Sequence, residues 1–206
     1  MIGILLHIEE YKANSQRGVW LTADGLQVTF QRLSSKEPTS TPPLFGTSEL
    51  TFKGRNAAGE APFIHEWQCL RPRDCLSKPY RRFETAGYLA VFLRENAGIL
   101  PEPLPVFELA SQAYDALERA DEPLVITFKI LYKIALIEGF PVKEDWLTRQ
   151  NPGLIQIAGT ILKHPSNAPT ILATPRSILI SLVQKLQIWL SHHTEFRLPQ
   201  TQLSGI

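Results

Sequence analysis

The hydrophobic pattern changes period once along the chain. Up to about residue 72 the apolar positions come in short runs broken by turn residues; from residue 77 they recur at helical spacing. "GILLHIEEY" (3–11) is a mostly apolar run with β-branched residues. In "GVWLTADGLQVTFQRL" (18–33) two strand-like runs flank Ala23-Asp24-Gly25, and Asp-Gly between such runs is a strong hairpin cue. Val19 and Leu21 point to one side of that first run, Trp20 and Thr22 to the other. "SSKEPTSTPP" (34–43) reads as a polar, proline-rich loop. "LFGTSELTFKGR" and "APFIHEWQCLR", joined by "NAAGE", complete five strands with no helical spacing among them. Short strands must hide their edges, so the pattern predicts a closed or partly closed barrel of the OB-fold kind.

The second rhythm predicts helices. Ser77 and Pro79 suit the start of a helix over 79–97, with Phe83, Ala86, Ala90 and Leu93 on one face. In 105–120 the stripe is Val106, Ala110, Ala113 and Leu117. "DEPLVITFKILYKIALIEGFP" opens on a cap-like Asp121, stops at Gly139 and is apolar nearly all round. It is therefore the expected central, buried helix, over 122–138. A short helix follows over 154–163. The segment 174–193 opens on Thr174-Pro175 and carries Ile178, Leu179, Leu182, Leu186, Trp189, Leu190 and His193 on one stripe. The expected class is α+β: an OB-like five-stranded β-barrel over 1–75, then an all-α bundle over 76–206.

Composition narrows the chemistry. The 206 residues are 44% hydrophobic with a net charge of +1, so a core is affordable and no global field announces nucleic acid or membrane. The short opening apolar run is followed by glutamates and lacks a cleavage site, and no stretch reaches spanning length. These features predict a cytosolic protein. Cys69 and Cys75 are too few for a zinc site and read as structural thiols, so no metal and no cofactor is expected. Phosphate-binding glycine motifs, a nucleophile elbow and a zinc-protease motif are all missing. Glu9 and Glu10 alternate across a strand, and His192 and His193 diverge on a helix. The balance is against an enzyme.

What remains is cationic. Arg17, Trp20, Arg32, Lys53, Arg55, Arg71 and Arg73 are spread over the strands or their ends, the mixture of cations and an aromatic with which small barrels grip single strands. The competing reading is ordinary surface charge, since residues 1–75 carry eight acids against eight Lys and Arg. Lys78, Arg81 and Arg82 open the first helix beside Arg71 and Arg73. Helix starts favour anions, so this packet is suited to phosphates or to salt bridges between the two halves. Lys129 and Lys133, one turn apart on the apolar helix, define with Ile126 and Ile130 a strip suited to an acidic peptide with an apolar end. From Trp146 onward, Arg149, Lys163, Arg176, Lys185 and Arg197 oppose Glu195 alone.

In order and pattern, residues 1–145 resemble the RecO family of recombination mediator proteins. "GILLHIEEYKANSQRGVWLTADGL" is similar to that family's opening, "PLFGTSELTFKGRNAAGE" to its fourth strand and hairpin, "RFETAGYLAVFL" to its first helix, and "VFELASQAYDALERADEPLVITFKILYKIALIEGFP" to the next pair. Many members carry two C-x-x-C pairs where this chain reads "VKEDWLTRQNPG", so the resemblance is to the zinc-free members. It implies a non-catalytic protein of the bacterial cytosol that binds single- and double-stranded DNA, anneals strands and helps load a recombinase. The implied partners are the acidic C-terminal tail of the single-strand-binding protein and a RecR-like protein. A protein-interaction adaptor of the same build, without DNA binding, is the alternative.

Overall fold

A computed structural model describes residues 1–12, 14–33, 40–55, 61–100 and 102–199; the side chain of Arg55 lies outside the described atoms. The protein is α+β, a five-stranded OB-like barrel followed by helices. Strands β1 (Ile2–Lys12), β2 (Ser15–Thr22), β3 (Gly25–Arg32), β4 (Thr47–Arg55) and β5 (Pro62–Arg71) close in the order β1-β2-β3-β5-β4. Neighbours run antiparallel except β3 and β5, which meet in parallel at Phe30 and Phe63. The β2–β3 register is uninterrupted from Thr22 opposite Gly25 back to Ser15 opposite Arg32, so the expected hairpin turns at Ala23–Asp24.

Leu5, Trp20 and Leu50 form the barrel's packed centre, with Met1, Ile8, Leu44, Ile64 and Trp67 against them. The indole of Trp20 lies over Gly18. A Cβ there would stand 2.9 Å from Nε1, so only glycine admits the ring. β1 bulges twice, between Leu5 and His7 and between Glu10 and Lys12. Each bulge re-aims the residues beyond it. Most of the proline-rich loop (34–39) and all of 56–60 lie outside the described residues. The chain that follows, Ser40–Gly46, is tied down: Phe45 N–H donates to Leu5 O, Leu5 N–H to Gly46 O, and Ser40 O accepts from Gln31 Nε2.

The helices are α1 (Tyr80–Asn96), α2 (Pro103–Leu117), α3 (Leu124–Ile137), α4 (Pro152–Lys163), α5 (Pro169–Leu172) and α6 (Arg176–His193). A 3-10 turn at Asp74–Ser77 precedes α1, and a π turn (Val142–Trp146) with a 3-10 turn (Leu147–Arg149) fills the stretch before α4. α3 is buried along most of its length and packs on α6, as its unbroken apolarity requires. Gly139, at φ +78°, lets Phe140 N–H turn back to Ala135 O and end the helix. The start of α3 differs from expectation: Pro123 holds the cap position, and the Glu122 carboxylate, not Asp121, accepts from Leu124 N–H. Two compact units result, Met1–Cys75 with Leu93–Ser111, and Leu76–Phe92 with Gln112–Ile206. No helix among the described residues is long and apolar enough to cross a membrane.

Candidate nucleic-acid interface

One rung of the barrel carries most of the candidate site. Glu9 pairs with Arg17, Arg17 with Phe30, and Phe30 with Phe63, so a single line crosses β1, β2, β3 and β5. Directly paired residues share a face. Trp20 and Thr29 point into the barrel, so by strand alternation Arg17 and Phe30 point out of it. The next rung on that outer face is Lys12, Ser15 and Arg32. Tyr11, displaced by the second β1 bulge, lays its ring against Phe30 at 4.6 Å between centroids, and Phe63 stands 5.9 Å from Phe30 on a tilted plane. Phe30 is buried beneath its neighbours, whereas Tyr11 keeps 48% of its surface.

The cations are interleaved with the rings. The Lys12 ammonium lies 5.1 Å from the Tyr11 ring centre and the Arg32 guanidinium 5.0 Å from that of Phe63, both within cation–π range. Both side chains are exposed. Arg17 is committed differently: Nη1 donates to Glu9 Oε1 at 2.7 Å. That bond, then the contact of His7 with the other carboxylate oxygen, holds the Glu9 carboxyl below its ordinary pKa. A face of stackable rings flanked by cations fits an unpaired nucleic-acid strand, whose bases offer π-faces and whose backbone offers charge.

The residues expected from sequence fall on both sides of this picture. Arg17 and Arg32 belong to the two rungs. Lys53 is exposed on β4, and the Arg55 side chain is outside the described atoms. Trp20 is corrected: its ring is 1% exposed and Nε1–H donates to Thr29 Oγ1 at 2.9 Å, so it is core and offers no face to a base. Arg73 is corrected too. At 3% exposure its guanidinium donates to Phe45 O, Thr47 Oγ1 and both oxygens of Ser111. It fastens the barrel unit and does not face a phosphate. Arg71 is exposed.

The packet at the start of α1 divides likewise. Lys78 and Arg81 are exposed, whereas Arg82 donates to Glu118 O at 2.6 Å and Ala120 O at 2.8 Å. It satisfies carbonyls left over just beyond α2, which explains a cation where the α1 dipole alone disfavours one. On α3, Ile126 and Ile130 are 3% and 1% exposed and line no open strip. Lys129 donates to His164 O at the end of α4, and burial, then repulsion from Lys133, lowers its pKa. Only Lys133 of that quartet is exposed. Arg176 is taken up by Glu122, with Nη1 2.6 Å from each carboxylate oxygen.

Sequence reading missed Tyr11, Lys12, Phe30 and Phe63. Part of the signal was present. Counting back from the Asp-Gly turn places Arg17 opposite Phe30 and Ser15 opposite Arg32. The bulge that brings Tyr11 onto the same face has no local sequence mark. The chain matches no family model, and no curated protein sequence matches it.

Proposed function

We propose that this is a non-catalytic DNA-binding protein of recombinational repair that holds single-stranded DNA on the outer face of its barrel. The observation that carries the reading is the pair of adjacent rungs, Glu9–Arg17–Phe30–Phe63 and Lys12–Ser15–Arg32, with the Tyr11 ring laid across them. Tyr11 and Phe63 stack bases, while Lys12 and Arg32 sit beside the same rings to meet the backbone. Arginine contacts and stacking of this kind tolerate any sequence. Lys53 extends the cationic surface on β4. The resemblance in segment order supports the wider role: annealing, binding of double-stranded DNA, and cooperation with a single-strand-binding protein tail and a RecR-like partner. On the helical unit Lys133 is the exposed remnant of the expected tail site, so a tail contact there is electrostatic and not lined by Ile126 and Ile130.

The test is binding of a labelled oligothymidylate, followed by fluorescence anisotropy. Tyr11→Ala should weaken it by the stacking contribution of roughly 1–3 kcal/mol. Unchanged affinity in Tyr11→Ala removes the interface. The adaptor reading has its own support, because Arg73, Arg82 and Arg176 are spent on contacts inside the fold. It predicts no salt-dependent binding of any oligonucleotide.

A further inference from the structure

Glu9 is the one acid on the rung that carries Arg17, Phe30 and Phe63. Its carboxylate stands 2.7 Å from Arg17 Nη1, the distance at which a phosphate oxygen would be held. His7 Nε2 approaches its second oxygen at 3.4 Å, so both oxygens are directed. Arg17 therefore presents itself to a ligand already neutralised, while Lys12 and Arg32 lie over rings and, among the described residues, face no carboxylate in this way. We propose that Glu9 is an internal competitor for Arg17: it occupies the guanidinium in the free protein and must be displaced before Arg17 can hold a backbone phosphate. Glu9 thereby sets the affinity of the strip without touching the strand itself. This rests on the single-strand interface proposed above.

The geometry allows the competition on both sides. The pair is half-exposed, and exposed ion pairs are weak enough to exchange partners. A phosphate arriving with bases already stacked on Tyr11 and Phe63 is held close to Arg17, but one phosphate oxygen offers the guanidinium no more than the Glu9 carboxylate does, so in the wild-type complex Glu9 keeps Arg17. An isolated anion brings no such stacking.

The experiment is a double-mutant cycle on the intact chain. Affinity for a labelled oligothymidylate is measured across a salt series for wild type, Glu9→Gln, Arg17→Ala and the double variant. Glu10→Gln, its exposed neighbour on β1, serves as the control for loss of one negative charge. Thermal melts confirm that each variant is folded. Glu9→Gln should tighten binding about two- to five-fold, the size expected of an exposed pair. It should also steepen the slope of log K against log salt by about 0.7, the release expected for one newly neutralised phosphate on a single strand. Glu10→Gln should leave the slope unchanged. In the Arg17→Ala background Glu9→Gln should do no more than Glu10→Gln. An unchanged slope in Glu9→Gln, or a gain that survives in Arg17→Ala, overturns the competition and leaves the interface standing. If wild type and Glu9→Gln both fail to bind at low salt, the interface itself is wrong.

Discussion

Trp20 and Tyr11 divide the work that one exposed aromatic was expected to do. Trp20 fills the barrel, over Gly18 and against Leu5 and Leu50, with its polar edge on Thr29. Trp20→Ala should therefore lower the unfolding free energy by about 3–5 kcal/mol, read from urea unfolding. Trp20→Phe, which keeps most of the volume and loses the bond to Thr29, should cost about 1 kcal/mol. A Trp20→Ala protein of native stability but weak single-strand binding would put the indole back on the surface. Arg71 and Arg73 teach the same lesson. They are the same residue type two positions apart, and nothing local distinguishes them. Arg73 is turned inward at a left-handed backbone position, φ 54°, and reaches oxygens on two separate segments, Phe45–Thr47 and Ser111. Arg73→Met should cost roughly 1.5–3 kcal/mol, because buried oxygens lose a charged donor, while the salt slope of DNA binding stays as in wild type. Lys or Arg in a sequence states a charge; only the fold states what it faces.

At the scale of elements, period and punctuation were legible and side-chain allegiance was not. The Asp-Gly turn set the β2–β3 register, Gly139 ended α3, and the apolar stripe of α2 is buried, as is that of α6 from Leu179 to Leu190, while Ile178 is half-buried and His193 exposed. The short turns at Val142–Trp146 and Leu147–Arg149, and the four-residue α5, were too brief to leave a period. On α3 the spacing of Lys129 and Lys133 was right, but α4 ends where Lys129 reaches, which no pattern within α3 reveals. The burial of Lys129 has a titratable consequence. The folded pKa of Lys129 lies below the ordinary 10.5, through burial first and Lys133 second. The native state thus binds fewer protons than the unfolded chain between the two values, and this group's contribution to stability rises with pH across that window. Below the folded value the burial penalty is present in full. Lys133→Gln removes the repulsion and should raise the Lys129 pKa, narrowing the window; NMR titration of the lysine side-chain resonances follows it. A Lys129 pKa that stays put in Lys133→Gln would mean burial alone sets it.

For the whole molecule, the proposed binding surface is a property of strand order. Glu9, Arg17, Phe30 and Phe63 are scattered through the sequence and become one line only because β3 lies between β2 and β5 in the closed barrel. The class of fold follows from the change of hydrophobic period at about residue 75, but that line does not, since a β1–β2–β3–β5 neighbourhood is a matter of closure. With Glu9 holding Arg17, the described cations assigned to the strand are Lys12 and Arg32 beside the rings and Lys53 on β4. Three phosphates at about 0.7 each give a slope of about −2 for log K against log salt. The measurement that bears most directly on the account is therefore anisotropy of a labelled oligothymidylate across a salt series, with wild type beside Tyr11→Ala. A linear fall with a slope near −2 is expected in both proteins, with binding about five-fold or more weaker in Tyr11→Ala at every salt. Binding that ignores salt, or that is the same with and without the Tyr11 ring, would contradict it.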